Sequence, residues 1–392
     1  MPDSERPFDV AIAGGGPAGC SAAISLAVRG ARVVLLEARA YPHDKLCGEF
    51  LSPECGALLG ALGLAPALRA LAPVAINTVR ISAPAGAMWE HALPGQAWGL
   101  TRQALDQALA LRAEAAGATV RAGEAVTAIE GSLADGFTLR TGRAAVRARA
   151  VIAAHGKRGG LDRALGRRFL RRPQPYMALK AHFAGPPLPG RIELHGFPGG
   201  YCGLSEIEFS AQGARAADVC LLVHAEVFRR AGPPAPGGQV DAFINWMRSQ
   251  NPRLKAWLAQ ARQLDARWLS IAQVPFGPKR PVENDVLMAG DSAGLIVPLA
   301  GDGIAMALRG GQMAAEHCLG FLAGRAGAAE LAGGYARAWQ REFGARLRLG
   351  RLLQPLMLRP RLLSLSLRLL NAAPPLGHYL VAHTRDVSYG QP

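Results

Sequence analysis

The chain has 392 residues, half of them hydrophobic, and a formal net charge of +15. This length suits one large core or two joined domains, and its glycines and prolines follow no fixed period, which excludes collagen-like and strongly disordered classes. Nothing in the sequence resembles a recognition helix, a zinc finger or an aromatic-and-basic strand motif, so the charge does not indicate a nucleic-acid partner.

The cysteines and the hydropathy pattern bear on where the protein works. The six cysteines form no CxxC pair and no disulfide-framework spacing, which predicts reduced thiols and a cytoplasmic location. No segment reaches the roughly 18 uncharged apolar residues that a membrane-spanning helix needs. We therefore expect a protein that is soluble or peripheral to a membrane, with no metal site.

The first predicted unit is a strand from Phe8 to Ala13, a helix from Ala18 to Arg29 and a second strand from Ala31 to Leu36. Strand, glycine turn, helix and strand within about thirty residues make one βαβ unit with parallel strands.

The turn of this unit carries the GxGxxG spacing, with Gly14, Gly16 and Gly19. Such glycines make the tight turn, let backbone amides approach a diphosphate and let helix and strand pack closely. Glu37 ends the second strand, where a carboxylate can accept the ribose hydroxyls of an adenosine. The pattern predicts a dinucleotide site, and by itself it does not separate FAD from NAD.

The chain then alternates between short helices and strands. Ser52 and Pro53 open a helix that runs to about Leu62, and Thr101 caps a long amphipathic helix that ends near Gly117. Strands are predicted at 77–83, 88–93, 119–121, 125–129, 137–140 and 145–154.

The pattern changes between Met177 and Phe276, where strands dominate and predict a separate antiparallel sheet that walls a pocket. Val286 to Ala289 returns to the first domain and a long helix follows from Gly303 to Leu322.

The tail from Arg346 to Leu370 is rich in Leu and Arg. We expect it to form a helical layer over the core, with an interfacial membrane helix as the alternative.

The segment from Gly290 to Gly303, GDSAGLIVPLAGDG, resembles the second flavin motif of the para-hydroxybenzoate hydroxylase and geranylgeranyl reductase superfamily. The resemblance implies FAD, with Asp291 holding its ribitol chain. Because Gly301 and Gly303 precede a helix, its N-terminus can face the flavin edge and stabilise reduced flavin.

Two further stretches carry the resemblance. Thr101, Arg102 and Asp106 (TRQALD) are similar to a helix start whose arginine reaches the cofactor phosphates. The stretch from Lys45 to Glu49 (KLCGE) is similar to a loop beside the flavin ring in geranylgeranyl reductase-like enzymes. It implies that Gly48 permits close approach and that Cys47 contacts the flavin or donates a proton; an inert Cys47 is the alternative.

One segment departs from the family. Where the family usually has an Asp-Gly pair after the meander, this chain has His155 and Gly156, so no nicotinamide-binding role is transferred there. On the substrate side, the candidate acids and bases are His182, His195, Tyr201 and Glu206. Tyr201 is preferred because Gly200 to Glu208 resembles the strand region that faces the flavin.

The residues predicted to act are therefore of two kinds. The candidate catalytic residues are Cys47 and Tyr201. The predicted cofactor-binding residues are Gly14, Gly16, Pro17, Ala18, Gly19, Glu37, Ala38, Arg39, Lys45, Cys47, Gly48, Arg102, Gly290, Asp291, Pro298, Gly301, Gly303 and Ile304.

The predicted fold class is α/β with an α+β second domain. A discontinuous, glutathione-reductase-like Rossmann FAD domain takes residues 1–75, 98–175 and 277–340. An antiparallel-sheet substrate domain takes residues 76–97 and 176–276, and a helical C-terminal segment takes residues 341–392.

The resemblance implies an FAD-dependent oxidoreductase. We expect an NAD(P)H-using monooxygenase that hydroxylates or epoxidises a lipophilic or carrier-tethered metabolite of secondary metabolism through a flavin hydroperoxide. The alternatives are a geranylgeranyl-reductase-like alkene reductase and a non-catalytic flavin-binding protein; the missing WxWxIP segment disfavours a halogenase. The basic run from Arg163 to Arg172 is interpreted as a solvated helix face, or alternatively as a docking site for an acidic carrier protein.

Overall fold

The computed structural model describes residues 6–209, 214–233 and 238–383. The ends of the predicted first and last domains, residues 1–5 and 384–392, lie outside the described residues.

The first sheet is built around a parallel core. β1 (Phe8–Ala13) pairs in parallel with β2 (Val33–Glu37) on one side and β9 (Val146–Ala153) on the other. β18 (Val286–Met288) adds in parallel to β9, although more than 130 residues separate the two strands. The return of the chain to this sheet after residue 276 is therefore observed.

The other strands of this sheet lie at its margins, and their bounds are β6 (Thr119–Ala122), β7 (Val126–Ser132), β8 (Gly136–Thr141) and β17 (Val282–Glu283).

Two helices pack closely against each other on the parallel sheet. α1 (Pro17–Ala27) follows the glycine turn, and α9 (Gly303–Leu322) follows the second glycine-rich segment. A Cβ at Gly311 would lie 2.2 Å from the Ala18 carbonyl oxygen, so only glycine allows this approach. The Ser21 hydroxyl donates to the Leu308 carbonyl at 2.7 Å. The N-terminal ends of both helices are thereby fixed side by side.

The second sheet has nine strands and is mostly antiparallel. Its order begins β14–β10–β13–β12 and continues β11–β4–β5–β3, with β15 beside β10. β11 pairs in parallel with β4, an exception to the predicted antiparallel pattern, because the chain reaches β11 after crossing the first domain. The bounds are β3 (Phe50–Leu51), β4 (Val74–Ser82), β5 (Met88–Gly99), β10 (Tyr176–Ala184), β11 (Arg191–Phe197), β12 (Gly200–Glu208), β13 (Arg215–His224), β14 (Arg262–Gln263) and β15 (Leu269–Ala272).

The two faces of this second sheet have different surroundings. On the outer face, side chains such as Leu179 and Leu204 pack against three helices, α6 (Ala225–Ala231), α7 (Gln239–Ser249) and α8 (Pro252–Leu258). The interior face, which carries Lys180, His182, Tyr201, Ser205 and Asp218, turns toward segments of the first domain.

Three helices form the C-terminal part of the chain up to residue 383. They are α10 (Ala328–Leu358), α11 (Pro360–Ala372) and α12 (Pro374–His383). Met357, Leu363 and Leu367 are buried in one apolar cluster with Trp89 and Leu194 of the second sheet. The predicted helical layer over the core is observed in these residues.

Four helices, two short strands and three 3-10 turns remain in the part of the chain that the structure describes. The helices are α2 (Glu54–Ala61), α3 (Ala65–Leu71), α4 (Arg102–Ala115) and α5 (Gly160–Ala164). The strands are β16 (Gly277–Pro278) and β19 (Gly294–Leu295), and 3-10 turns cover Arg168–Arg171, Gly290–Ser292 and Pro298–Ala300. The mixed α/β architecture predicted from the sequence is confirmed.

Candidate functional site

The glycine turn after β1 is tied to the end of β2. The Gly15 amide donates to the Glu37 carboxylate at 2.7 Å, and the Tyr41 hydroxyl donates to the Gly15 carbonyl at 2.6 Å. A Cβ at Gly19 would lie 1.8 Å from the Gly14 carbonyl oxygen, so glycine is required for the turn to meet α1. The Glu37 carboxylate therefore lies directly at the turn, as the dinucleotide pattern predicts.

Two cations face this turn. Both the Arg102 guanidinium and the Lys45 ammonium lie close to the Gly16 backbone. A Cβ built on Gly16 would be 3.6 Å from the first and 3.8 Å from the second. Arg102 makes a bidentate contact with Asp106 at 2.9 and 2.8 Å, which orients it at the start of α4. A helix N-terminus, a glycine without a side chain and two cations beside it fit the diphosphate of a dinucleotide.

The second glycine-rich segment lies beside α1. Gly290 has a positive φ of 60°, and a Cβ there would come within 2.9 Å of the Ala18 Cβ. Gly301 also has a positive φ, and Asp302 between the two last glycines is fully buried. Arg346 of α10 donates to the Asp302 carboxylate at 2.9 Å and holds the start of α9 in place.

The loop from Lys45 to Glu49, here named the bridging loop, connects the glycine turn to the second sheet. The Ser205 hydroxyl donates to the Gly48 carbonyl at 3.1 Å, and the Lys157 ammonium donates to the Leu46 carbonyl at 2.6 Å. Cys47 is half-buried in this loop, and its thiol interacts electrostatically with the Arg102 guanidinium. The space beside Gly48 is open, since a Cβ there would meet no atom within 4 Å.

Glu49 ends the bridging loop inside an ionic cluster on the interior face. Its backbone is left-handed, with φ +50°, a strained conformation for glutamate. Its carboxylate accepts from the Arg102 amide at 2.7 Å and lies against Lys180 and, at 2.9 Å, His182. The other imidazole nitrogen of His182 lies 3.1 Å from Asp265.

The charge states in this cluster follow from burial and pairing. Burial alone would raise the pKa of Glu49, but His182, Lys180 and the Arg102 amide lower it, so Glu49 is ionised. Burial likewise opposes the charge of His182, yet its bond to Glu49 raises the pKa of the imidazole. Burial raises the pKa of Asp218 well above its usual range, so Asp218 is the carboxyl group of this cluster that takes up a proton most easily.

Asp44, Glu49 and His182 also bring ligand-type atoms within 4.8 Å of one another. The Lys180 ammonium already neutralises the Glu49 carboxylate, and His182 already bonds to it. A further cation at this point would be repelled by Lys180.

Tyr201 lies on the interior face, but its hydroxyl is engaged. It accepts from the Leu299 amide at 3.1 Å and is buried. Burial raises the pKa of Tyr201 far above its usual range. In this structure its contact positions the Pro298–Ala300 turn, and its candidate catalytic role stays a prediction.

The other candidate acids and bases lie elsewhere. His195 is on the outer face, where Ser82 bonds to its Nδ1 at 2.7 Å and Glu193 lies 3.2 Å from its Nε2. Glu206 is buried and lies 3.8 Å from Arg215. Of the four candidates, the structure brings His182 and Tyr201 to the interior face.

The remaining predicted cofactor residues surround the two glycine-rich segments. Pro17 is the first residue of α1, Ala38 and Arg39 are exposed beyond β2, and Ile304 is buried in the first turn of α9. The Arg39 amide donates to Glu37 at 3.2 Å. The Asp291 carbonyl accepts from Lys279, and burial lowers the pKa of that lysine to about 8.

The segment that departs from the family pattern packs on the second flavin segment. The Gly156 amide donates to the Ser292 hydroxyl at 2.9 Å, and His155 lies 3.0 Å from Asp162. Arg167, within the basic run, is fully buried and donates to Asp162 at 3.0 Å and to the Ser292 carbonyl at 2.7 Å. The interpretation of the whole run as a solvated helix face is therefore wrong at Arg167, because its charge is matched inside the protein.

Several groups in the site were not predicted from the sequence, and they are Tyr41, Glu49, Lys157, Lys180, Asp218, Lys279 and Arg346. Two carried a usable signal. Glu49 closes the KLCGE stretch, and Lys180 alternates with His182 in an otherwise apolar strand, which places both side chains on one face.

The fold and the site together define a dinucleotide-binding protein. Two helix N-termini lie side by side in its first domain, and the bridging loop connects this region to the interior face of the second sheet. Residues 7–190 match the family model described as FAD binding domain. The chain is an FAD-dependent oxidoreductase, and its resemblance to the para-hydroxybenzoate hydroxylase and geranylgeranyl reductase superfamily is confirmed.

Relatives with curated names extend over most of the chain. A menaquinone reductase of Mycolicibacterium smegmatis is 26% identical over 79% of this chain and 75% of its own length. Digeranylgeranylglycerophospholipid reductase 2 of Methanopyrus kandleri is 28% identical over 86% of this chain and 83% of its own length. The solved structure of a flavin-dependent brominase superposes with a TM-score of 0.78 at 20% identity, over 97% of this chain and 93% of that one. At that identity the likeness concerns the fold alone.

Among the residues that the structure describes, none of the helices has both the length and the apolar character needed to cross a bilayer.

Proposed function

We propose that this chain is an FAD-dependent reductase that saturates carbon–carbon double bonds in a long lipophilic substrate. The proposal depends on the position of the bridging loop. It joins the FAD-binding turn to the interior face and holds Cys47 beside Arg102, next to the ionic cluster of Glu49, Lys180 and His182. Relatives named menaquinone reductase and digeranylgeranylglycerophospholipid reductase support a reductase with a lipophilic substrate.

The chain's residues have separate roles toward the cofactor. Glu37 fits the adenosine ribose, while Arg102 and Lys45 fit the diphosphate at the glycine turn. The start of α9 at Gly303 would place a helix N-terminus toward the bound flavin. When bound, FAD supplies the electron pair as hydride.

Saturating a double bond also consumes one proton, and Cys47 is the proposed donor. Its thiol would give the proton to the second alkene carbon, and Arg102 would stabilise the thiolate that remains. Reprotonation would proceed from the ionic cluster, since His182 connects Glu49 to Asp265, whose side chain is partly open to solvent.

The lipophilic substrate class has a second support in the interior face itself. Beyond the ionic cluster this face becomes apolar, with Leu194 and Leu222 clustered with Leu295 and Met357. These side chains are buried against one another, so the proposal requires an apolar substrate chain to enter between them for its reacting bond to reach the charged end.

The monooxygenase expected from the sequence remains the rival prediction. NAD(P)H as electron donor, an acidic carrier protein and a cytoplasmic location also remain predictions. Anaerobic bleaching of the flavin by NADPH and by NADH would identify the donor.

The deciding experiment uses the FAD-loaded protein under anaerobic conditions with a chemical reductant and two probes, menaquinone and a geranylgeranyl glycerolipid. After the quinol has been reoxidised to the quinone in air, we expect product mass to have risen by two hydrogens for each carbon–carbon double bond saturated. Cys47→Ala should lower turnover by about a hundredfold, a typical general-acid contribution, and leave flavin content unchanged.

Cys318→Ala, at a buried cysteine in α9 outside the bridging loop, is the matched control and should retain turnover. Incorporation of labelled oxygen from O2, without hydrogenated product, would overturn the reductase in favour of the monooxygenase.

A further inference from the structure

Large apolar side chains are exposed on the C-terminal helices. Leu352 is 72% exposed, Leu365 65%, Leu369 54% and Leu376 37%. Single exposed leucines need no explanation, but here four occur within 25 residues along helices that contact one another. The outward side of these helices therefore exposes large apolar side chains to solvent.

Helix α11 has two distinct sides. Leu363 and Leu367 are buried against the second sheet. Leu365 and Leu369 each lie two residues further on, which is about 200° around the helix and therefore on the opposite side. The inner leucines complete the core, so core packing does not explain the outer ones.

The charges around these leucines have a single sign. Residues 343–383 contain six arginines and no aspartate or glutamate. Five of the arginines are exposed, and they are Arg348, Arg351, Arg359, Arg361 and Arg368. On α11, Arg361 and Arg368 share the outward side with Leu365 and Leu369.

We propose that the outward side of α10 to α12 docks on the surface of an anionic phospholipid bilayer. The leucines enter the boundary between headgroups and acyl chains, and the arginines contact lipid phosphates. Self-association through this surface is disfavoured, because two copies would bring arginines together with no acidic residue between them. The inference does not depend on the reaction proposed above.

The test is flotation of the full, FAD-loaded chain with two vesicle types, phosphatidylcholine alone and phosphatidylcholine mixed with phosphatidylglycerol. We expect binding to the phosphatidylglycerol vesicles that weakens as salt is raised. Leu365→Gln with Leu369→Gln should weaken this binding by at least about tenfold. Arg361→Gln with Arg368→Gln should weaken it by about tenfold to thirtyfold, since each arginine near such a surface contributes about 1 kcal/mol.

Leu111→Gln, at a 58% exposed leucine on α4, is the matched control and should leave binding unchanged. Circular dichroism would establish that all variants are folded. Docking is overturned if the wild-type chain stays free of phosphatidylglycerol vesicles or if the leucine pair has no effect. It is also overturned if these leucines instead hold a dimer that size-exclusion chromatography detects and the double variant dissociates.

Discussion

The two faces of the nine-stranded sheet each bury a polar cluster, and the clusters differ in how their charges are matched. On the outer face, Ser82, His195 and Asn251 share hydrogen bonds, and Glu193 meets Arg80 and Arg191 near the surface. On the interior face, Glu49 and Lys180 are completely buried.

Burial of such a charged pair is costly and is not needed for packing. Together with the strained backbone of Glu49, it indicates that the interior cluster is kept for function, whereas the outer one is structural.

The largest expected effect is that of Glu49→Gln. It leaves the buried Lys180 ammonium with only Asp218, 3.9 Å away, to balance its charge, so the free energy of unfolding should fall by up to about 3–5 kcal/mol, as measured by urea titration.

The double variant Glu49→Gln with Lys180→Met removes both charges and keeps an acceptor for the Arg102 amide. It should recover much of the loss. If the double variant were as unstable as Glu49→Gln, the charge pairing inferred for the interior face would be incorrect.

A smaller effect is expected from Asn251→Ala on the outer face. The Asn251 side chain caps α8 by accepting from the Arg253 amide at 3.1 Å, and it donates to Ser82 at 3.0 Å and to the Gly196 carbonyl at 3.1 Å. Its loss should cost about 2 kcal/mol of stability.

Fluorescence titration of the same variant should give an unchanged affinity for FAD. A change in that affinity would mean that the two faces are coupled.

The smallest expected effect is a change of pH dependence in His182→Gln. The pKa of His182 is raised in the folded protein, so its bond to Glu49 contributes stability fully below the unfolded value of about 6.5. That contribution is lost as pH rises through the folded pKa.

The wild-type chain should therefore lose stability from pH 6.5 upward, and the variant should show a flatter profile over the same range. Unfolding titrations at several pH values measure both. If the wild-type chain and the variant showed parallel profiles of stability against pH, the pH dependence would belong to a group other than His182.

The sequence was most informative where function depends on local geometry. The glycine turn, Glu37 and the helix start at Arg102 lie within short segments whose spacing fixes their backbone, and the structure brings them together. The helical layer that contains Leu363 was predicted from the Leu- and Arg-rich composition of the C-terminal tail.

Longer-range features could not be read from the sequence. The parallel pairing of β11 with β4 joins residues more than 110 positions apart, and no local pattern encodes it. The local sequence does not show that Lys180 pairs with Glu49, because the two residues are far apart in the chain. Nor does it show that Arg167 is buried between Asp162 and Ser292.

The discontinuity of the first sheet has a consequence for biosynthesis. β9 ends at Ala153, but its neighbour β18 and the helix α9 that covers α1 are encoded after residue 285. A ribosome that adds about 5–20 residues per second needs about ten to thirty seconds to translate the intervening chain and α9. During that interval the emerging polypeptide has an unpaired strand edge and an uncovered helix, and this is the stage at which we expect it to depend most on chaperones.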